Sequence, residues 1–440
     1  MKKENSVWDF FASVKLALSL LSLLAVTSII GTVIPQKKSL QWYAQEYGDN
    51  LAQLFNVLDI PDMYNSWWFL GLLGLLCTNL IICSFDRFPG VWQQIKADGL
   101  DTSPERLKKI RRKKEWQSKS SVDSASTELS RKLNSSGWKN SRRHSDGGTL
   151  LFAQKGAYSR IGVYVVHASI LVIFVGAIIG ELYGFKGSVM IPETQQTDKI
   201  YPFSTGEAID LGFTVRCDSF DIEFYRTGMP KDYRSELTVL ENGKELFRTS
   251  IEVNSPLTYR GITFYQSSYE GYNDFMVKVT NKDNGNSQTS VVPFQEQRKW
   301  VQEGLAFGVI NAEFMGQSVS RMKIWFSDGK GAPSQFWLKD GDSLAVAREN
   351  GTYLLTAKQM YATGLQVCKD PGVWVVYLGC GLMLLGLMIA FFLSHKRIWL
   401  FIKEDGERTT IFLFGSANKN RVGFEKIFND LAETLQEEHI

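Results

Sequence analysis

Apolar positions along the chain gather into four runs, and the polar positions lie almost entirely between them. The runs cover residues 16–34, 67–85, 161–182 and 373–393. Each is close to the ~20 residues that an α-helix needs to cross the hydrocarbon core of a bilayer. The first run is too long for a signal-peptide core and no A-x-A-like cleavage site follows it, so we interpret it as a retained helix. The pattern predicts four transmembrane helices.

A different periodicity governs the long segment between the last two runs. Polar and apolar residues alternate over 213–217, 235–240, 245–253, 261–266 and 275–280, and turn-forming residues occupy 241–244 and 281–286. Period-two alternation punctuated by turns is typical of antiparallel strands. We therefore expect a large antiparallel β domain, either a sandwich or an open barrel, on an α+β integral membrane protein.

The segment between the second and third runs predicts a small α/β module. A short amphipathic helix is expected over residues 127–134, and a hairpin over 138–144 and 149–154. After the last run, residues 398–413 indicate a short hairpin and 422–436 an amphipathic helix. In chain order, the predicted membrane helices are 16–34, 67–85, 160–183 and 373–394. The predicted segments outside the membrane are 1–15, 35–66, 86–159, 184–372 and 395–440.

Charge adds an orientation to this map. The net charge is +3, and lysine and arginine concentrate after the second and fourth runs. Such flanks stay on the cytoplasmic side, which places both termini and residues 86–159 there and residues 35–66 and 184–372 outside. A basic flank beside a membrane favours contact with anionic lipid, and we expect no nucleic-acid binding. The predicted location is the bacterial inner membrane, with the large domain on its outer side.

One histidine lies deep inside an apolar run. The histidines are His144, His167, His395 and His439, and only His167 is well inside a predicted span. An ionisable group in hydrocarbon indicates a functional site. Position alone leaves three alternatives open: a hydrogen bond that fixes helix packing, ligation of haem or a metal, or a proton relay.

Other side chains near the membrane each have both a structural and a functional interpretation. Arg160, about two turns before His167, is either a topology anchor or a partner for a haem propionate. His395 at the end of the fourth run is interpreted as a snorkelling interfacial residue, with haem contact as the alternative. Trp67, Trp68 and Trp374 are expected in the interfacial aromatic belt or around a haem cavity.

The five cysteines exclude some chemistry. None is in C-x-x-C spacing, so the chain contains neither a thioredoxin-like redox pair nor a c-type haem attachment motif. Cys217 and Cys368 both fall in the outside segment, and a disulfide between them is one possibility. Because no serine or cysteine nucleophile can be matched with a base, we assign no catalytic residue.

Short motifs occur in order over nearly the whole chain. They are IIGTVIPQ at 29–36, SWWF at 66–69, CSF at 83–85, KG at 155–156, RIG at 160–162 with His167, GMPKDYRS at 228–235, VNSPL at 253–257, GITFYQSSY at 261–269, DPG at 370–372 and SHKRIW at 394–399. In this order they resemble the ResB family, also called CcsB, of the system II cytochrome c synthesis machinery. Each motif alone is weak, whereas the ordered set is specific.

The resemblance implies a two-protein machine. The partner would be a ResC (CcsA)-type membrane protein with a tryptophan-rich motif that this chain lacks, and the pair would carry haem b outward and attach it to C-x-x-C-H of apocytochrome c. This chain would be a non-autonomous subunit of that haem lyase. His167 would be an axial ligand to haem iron, with Arg160 near the propionates. Two alternatives remain: a scaffold that holds apocytochrome or a thioredoxin-like thiol reductant without binding haem, and an extracytoplasmic sensor.

Overall fold

The computed structural model describes residues 6–102, 104–145, 147–203, 206–225, 230–315 and 318–436. Gly228 and Met229 of the GMPKDYRS motif and His439 lie outside the described residues. The helices are α1 (Ser6–Phe11), α2 (Val14–Val33), α3 (Leu40–Tyr47), α4 (Asp49–Val57), α5 (Trp67–Lys96), α6 (Pro104–Lys108), α7 (Val122–Ser135), α8 (Gly162–Tyr183), α9 (Val373–Phe392) and α10 (Arg421–Gln436). Turns of 3-10 helix cover Ile60–Asn65, Ala157–Ile161 and Val301–Glu303.

The strands form three antiparallel sheets within the described residues. They are β1 (Arg112–Ser118), β2 (Lys139–Ser145), β3 (Gly148–Lys155), β4 (Phe185–Pro192), β5 (Gln196–Pro202), β6 (Ile209–Phe224), β7 (Pro230–Glu241), β8 (Lys244–Glu252), β9 (Leu257–Tyr259), β10 (Ile262–Asn281), β11 (Ser287–Pro293), β12 (Gln297–Trp300), β13 (Leu305–Met315), β14 (Ser318–Ser327), β15 (Ser334–Lys339), β16 (Ser343–Arg348), β17 (Gly351–Lys369), β18 (Lys396–Asp405) and β19 (Arg408–Ala417).

Four of the described helical segments are long and apolar enough to cross a membrane: Val14–Val33, Trp67–Lys96, Ala157–Tyr183 and Val373–Phe392. They coincide with the four apolar runs, and with the antiparallel sheets they confirm the predicted α+β membrane fold. The chain is a multi-pass membrane protein. It divides into two compact units, one of residues 1–176 and 374–440 and the other of residues 177–373.

Helix α5 extends further than its apolar run. The run ends at Phe85, but the helix continues to Lys96 through Pro89. Its start is fixed by Ser66, whose hydroxyl accepts a hydrogen bond from the Phe69 amide at 3.4 Å. Inside α5, the buried Asn79 donates to the carbonyl oxygens of Phe11 and Ser13, at 2.6 and 3.1 Å. These carbonyls lie at the break between α1 and α2, so the Asn79 amide links α5 to the point where the helical hydrogen-bond ladder is interrupted.

A five-stranded sheet in the first unit joins two distant parts of the sequence. Among the described residues its strand order is β1-β19-β18-β3-β2. Helices α7 and α10 cover one face with an apolar core of Leu129, Leu133, Leu413, Phe424 and Phe428. The predicted module and the predicted tail are thus one folded body, rather than two separate elements.

Strand β1 was not expected from the sequence. Residues 108–114 lie in the basic flank after the second apolar run, which indicates topology and lipid contact but no strand, yet β1 begins inside it and pairs with β19 from Arg112↔Gly415 to Ser118↔Thr409. An edge strand whose single apolar residue is the half-buried Trp116 has no alternation to detect. The pairing depends on β19, almost 300 residues later.

The second unit is built around two long strands, β10 and β17, which pair over most of their lengths. Together with β4 to β8, the first part of β10 and the last part of the antiparallel β17 enclose an apolar interior that includes Phe213, Val215, Leu237 and Phe264. Beyond a register irregularity between Gly271 and Phe275, the same two strands pack with the sheet β12-β13-β14-β15 around Phe275, Phe307 and Phe326. The predicted strands at 261–266 and 275–280 are therefore one continuous strand.

Candidate functional site

His167 lies on α8, five residues after its first residue, among apolar side chains and half-buried. The Nδ1 atom of its ring lies 2.9 Å from the hydroxyl of Ser84 on α5. The ring of Tyr164, one turn earlier, meets the imidazole edge to face at 6.3 Å. Tyr164 itself packs on Phe88 of α5 at 5.2 Å. The histidine is therefore oriented by the α5–α8 interface.

The Ser84 contact defines what His167 is able to bind. When Nδ1 carries the proton, the serine oxygen accepts it and Nε2 keeps its lone pair. Metal-ligating histidines commonly have this arrangement, in which a partner for one nitrogen fixes the ring and the tautomer. Among the described residues, Ser84 is the hydrogen-bond partner found for His167. Ser84 belongs to the CSF motif at 83–85, which was the one signal for it in the sequence. The motif did not indicate that its serine contacts His167.

Close packing of α8 on α9 holds the helix that carries the histidine. A side chain on Gly162 would meet the Ala390 amide nitrogen at 2.6 Å, and one on Gly386 would meet the Val166 amide nitrogen at 2.9 Å. Small residues that let backbones approach are the usual basis of helix packing in membranes. Since Val166 and His167 are adjacent on α8, this contact fixes the height and rotation of the imidazole.

The donor set suits haem better than a bare metal ion. Within the described residues no group of three or more His, Cys, Asp and Glu side chains could hold a metal. Haem brings four equatorial nitrogens and needs only axial ligands from protein, for which one neutral imidazole is sufficient on each side. His167 with its free Nε2 fits such an axial position.

Arg160 and His395 lie in direct contact, which the sequence did not indicate. The Nε of Arg160, in the 3-10 turn before α8, donates to Nδ1 of His395 at 2.9 Å. The other ring nitrogen of His395 lies 2.9 Å from the side-chain oxygen of Gln154 on β3. His395 is only 1% exposed, so the interpretation as a snorkelling residue is wrong. Both ring nitrogens have protein partners, and haem ligation would require losing one of them.

The surroundings of His395 keep its ring neutral. Burial, with smaller effects from the charges of Arg160 and Arg397, lowers its pKa to about 4. The neutral form agrees with the contacts, because Nδ1 accepts from Arg160 while Nε2 donates to Gln154. The ring therefore connects α8 to the five-stranded sheet as an uncharged link.

This lowered pKa predicts a loss of stability in mild acid. Between the folded pKa of about 4 and the ordinary value of about 6.5, the unfolded chain binds more protons, so acid favours unfolding. The stabilisation of the folded state by the neutral His395 ring is complete above about pH 6.5. It falls by about 2 kcal/mol by pH 5 and is lost near pH 4. Thermal unfolding of the full chain at pH 7.5 and 5.0 measures it.

Two variants isolate the effect. We expect His395→Asn to weaken the pH dependence, and His144→Asn to keep it, because the His144 side chain is 66% exposed. An equal pH dependence in all three proteins would contradict the assignment to His395.

The cysteines Cys217 and Cys368 are free thiols in the structure, so the possible disulfide is not formed. Cys217 is fully buried on β6, and burial, together with the nearby Glu193 and Asp218, raises its pKa to about 12. Trp67 and Trp374 are 79% and 76% exposed, and their role as belt or cavity residues stays a prediction.

Known proteins resemble the chain over nearly its whole length. A model of the ResB-like family matches residues 14–342 and 316–429. The chain is 30% identical to proteins named cytochrome c biogenesis protein CcsB from Gloeobacter violaceus and a Synechococcus species. These matches cover 97% and 98% of the chain and 90% of each relative. A CcsB from a Nostoc species is also 30% identical over 96% of the chain. Such matches extend through both membrane and β regions, and the chain therefore belongs to the ResB-like family.

Proposed function

We propose that this chain acts in cytochrome c biogenesis by holding haem b at His167 for attachment to apocytochrome c. The observation that carries the proposal is the imidazole itself, which is oriented by Ser84 through Nδ1 and has Nε2 available. The relatives named CcsB support the process, and the single histidine in the spans supports the ligand. Haem is the cargo in this proposal; its ring supplies four iron ligands and the vinyl groups to which apocytochrome thiols attach.

A second protein is required by this arrangement. The chain offers one histidine within its spans, so the opposite axial ligand would come from a ResC (CcsA)-type membrane partner. Apocytochrome c with its C-x-x-C-H motif would be the acceptor, and a thioredoxin-like reductant would keep its thiols reduced. The large β domain would lie on the same side of the membrane as these soluble partners.

The positive charge of Arg160, which precedes His167 in the chain, suits the two propionates of haem. Arg160 is seven residues earlier, about 10 Å at the helical rise of 1.5 Å per residue. We propose that the macrocycle lies in the apolar layer while its propionates reach toward Arg160. Burial of the macrocycle and a nearby cation are two of the means by which a protein adjusts the properties of haem.

Loss of the chain tests the proposed process. Deleting its gene should abolish covalent haem on c-type cytochromes, while the apocytochromes are still made and exported. Haem staining and immunoblotting of the same membranes measure the two quantities. Normal haem staining in the deletion strain would contradict the proposal and favour a sensor role.

The orientation is tested separately. We propose that the protein lies in the bacterial inner membrane with residues 184–372 outside, because the lysine-rich flanks stay in the cytoplasm. Alkaline phosphatase fused after Lys282 should be active, and the same enzyme fused after Gln117 should be inactive. The reverse pattern would overturn the membrane map.

A further inference from the structure

The contact between Arg160 and His395 is part of a larger cluster that carries positive charge. We define the arginine cluster as Arg160, His395 and Arg397, where Arg397 lies two residues after His395 on β18. Burial and the nearby charge of Arg160 both lower the pKa of Arg397, so the two guanidinium groups affect each other. The cluster brings together the start of α8 and the strand that follows α9.

In the part of the chain that the structure describes, no carboxylate is found in an ion pair with this cluster. Among the described residues, the ion pairs found include neither Arg160 nor Arg397. His395 between them is neutral and accepts from Arg160, so it adds no compensating charge. Two arginines close together without a carboxylate cost free energy through their repulsion.

Arg397 also carries an unmet donor. Its Nε atom is buried and has no hydrogen-bond partner. Its guanidinium lies over the ring of Trp399 at 5.5 Å, and the Trp399 indole is anchored by a 3.0 Å hydrogen bond to the Gly99 carbonyl. A buried donor without an acceptor is rare and calls for a physical explanation. An anion bound between the two arginines would relieve both the repulsion and the unmet donor.

The supporting contacts hold Arg160 in place in advance of binding. Gln154 fixes His395, and its amide nitrogen also reaches the carbonyl oxygens of Ile95 and Ala97 at 3.3 and 3.4 Å. His395 in turn holds Nε of Arg160, which leaves the terminal nitrogens of that guanidinium for a ligand. Pre-ordered side chains lose less entropy when they bind.

We propose that Arg160 and Arg397 form a two-arginine carboxylate site that binds the propionates of the haem held at His167. This inference rests on the proposed function and adds Arg397 and the neutral His395 link to it. The planar guanidinium fork matches a carboxylate in a bidentate geometry. Phospholipid phosphate is the other oxyanion available at a membrane surface, and basic pockets between membrane helices do bind such headgroups. The test must therefore distinguish the two.

The experiment compares two porphyrins on the full chain copurified with its membrane partner. Iron protoporphyrin IX carries both propionates, whereas its dimethyl ester carries no carboxylate charge. Each is titrated into haem-depleted complex and followed by its Soret absorption. We expect wild type to bind the acid form about a hundredfold more tightly than the ester, which is about tenfold for each arginine, as charge-assisted hydrogen bonds would provide.

Variants assign the preference to the cluster. Arg397→Gln and Arg160→Gln should each reduce affinity for the acid form by about tenfold and leave affinity for the ester unchanged. Arg142→Gln removes a charge from β2 of the same sheet and should leave both affinities unchanged. Equal losses for both porphyrins would mean that the arginines only support the fold, and would overturn the proposal.

Lipid composition separates the two oxyanions. The titrations are repeated in nanodiscs of phosphatidylcholine alone and with added phosphatidylglycerol. An unchanged preference for the acid form supports the carboxylate site. The opposite result has two parts: phosphatidylglycerol abolishes the preference, and native mass spectrometry shows less phosphatidylglycerol retained by the arginine variants. Together they would assign the site to lipid and overturn the proposal. If wild type binds neither porphyrin, the haem role itself fails; if it binds both equally, only the carboxylate site fails.

Discussion

Replacing His167 with alanine should reduce c-type cytochrome maturation by at least tenfold while the protein stays in the membrane and paired with its partner. Loss of an outer-shell partner alone costs about 10- to 100-fold in metal affinity, and loss of the ligand itself should cost at least as much. The side chain is half-buried and its one hydrogen bond goes to Ser84, so its removal should leave helix packing largely intact. Haem staining of membranes, normalised to the amount of this chain, measures the effect.

Imidazole separates ligation from packing. The alanine variant leaves one coordination position of the iron open, and added imidazole should partly restore haem content and maturation. A packing role predicts lost stability or pairing without rescue. His144→Ala is the matched control, because it removes an exposed histidine and should leave maturation unchanged. Wild-type maturation in His167→Ala would rule out the ligand.

Replacing Glu193 with alanine should strongly destabilise the second unit. Glu193 is fully buried just after β4, and its carboxylate lies 2.6 Å from the Lys358 ammonium on β17. It also accepts hydrogen bonds from the backbone amides of Phe220 and Tyr361, at 2.9 and 3.2 Å. The carboxylate thus ties β4, β6 and β17 together where β10 changes register.

The expected loss is about 3–5 kcal/mol, because the variant leaves an ammonium and two buried amides without their acceptor. Hydrogen exchange of the full chain should quicken along β4, β6 and β17. The control is Glu313→Gln, which breaks a two-contact ion pair with Arg321 on exposed strands, at 2.6 Å for both contacts. An exposed pair contributes little. Similar exchange in the two variants would show that Glu193 does not connect these strands.

The sequence was most informative where one physical pattern dominates. Four apolar runs located the membrane helices, and alternation located β8 to within one residue at each end but only part of the longer β6 and β7. His167 stood out because an imidazole in hydrocarbon has few explanations. The tail hairpin and helix are also present, as β18, β19 and α10.

Long-range contacts were beyond the sequence pattern. The five-stranded sheet pairs β3 with β18, whose strands lie on either side of two membrane helices and the whole second unit. Strand β1 is mostly charged and is stabilised by its partner rather than by its own periodicity. Helix α5 continues beyond Phe85 because helical hydrogen bonds do not require apolar side chains, so hydropathy marks only part of it.

The same limit explains the site. His395 appeared to be an interfacial residue because it follows an apolar run beside Lys396 and Arg397. Its burial depends on Gln154 and Arg160, which lie more than 230 residues earlier. Ser84 and His167 are likewise 83 residues apart. Single side chains could be nominated from the sequence, whereas their pairings required the fold.

The absorption spectrum of the chain copurified with the proposed ResC (CcsA)-type partner tests haem ligation by His167 most directly. We expect the wild-type complex to be red, with the Soret band of a haem that has two axial ligands. The His167→Ala complex should have a reduced and shifted band that moves back toward the wild-type position when imidazole is added. A His167→Ala complex with the wild-type spectrum and haem content would contradict the account.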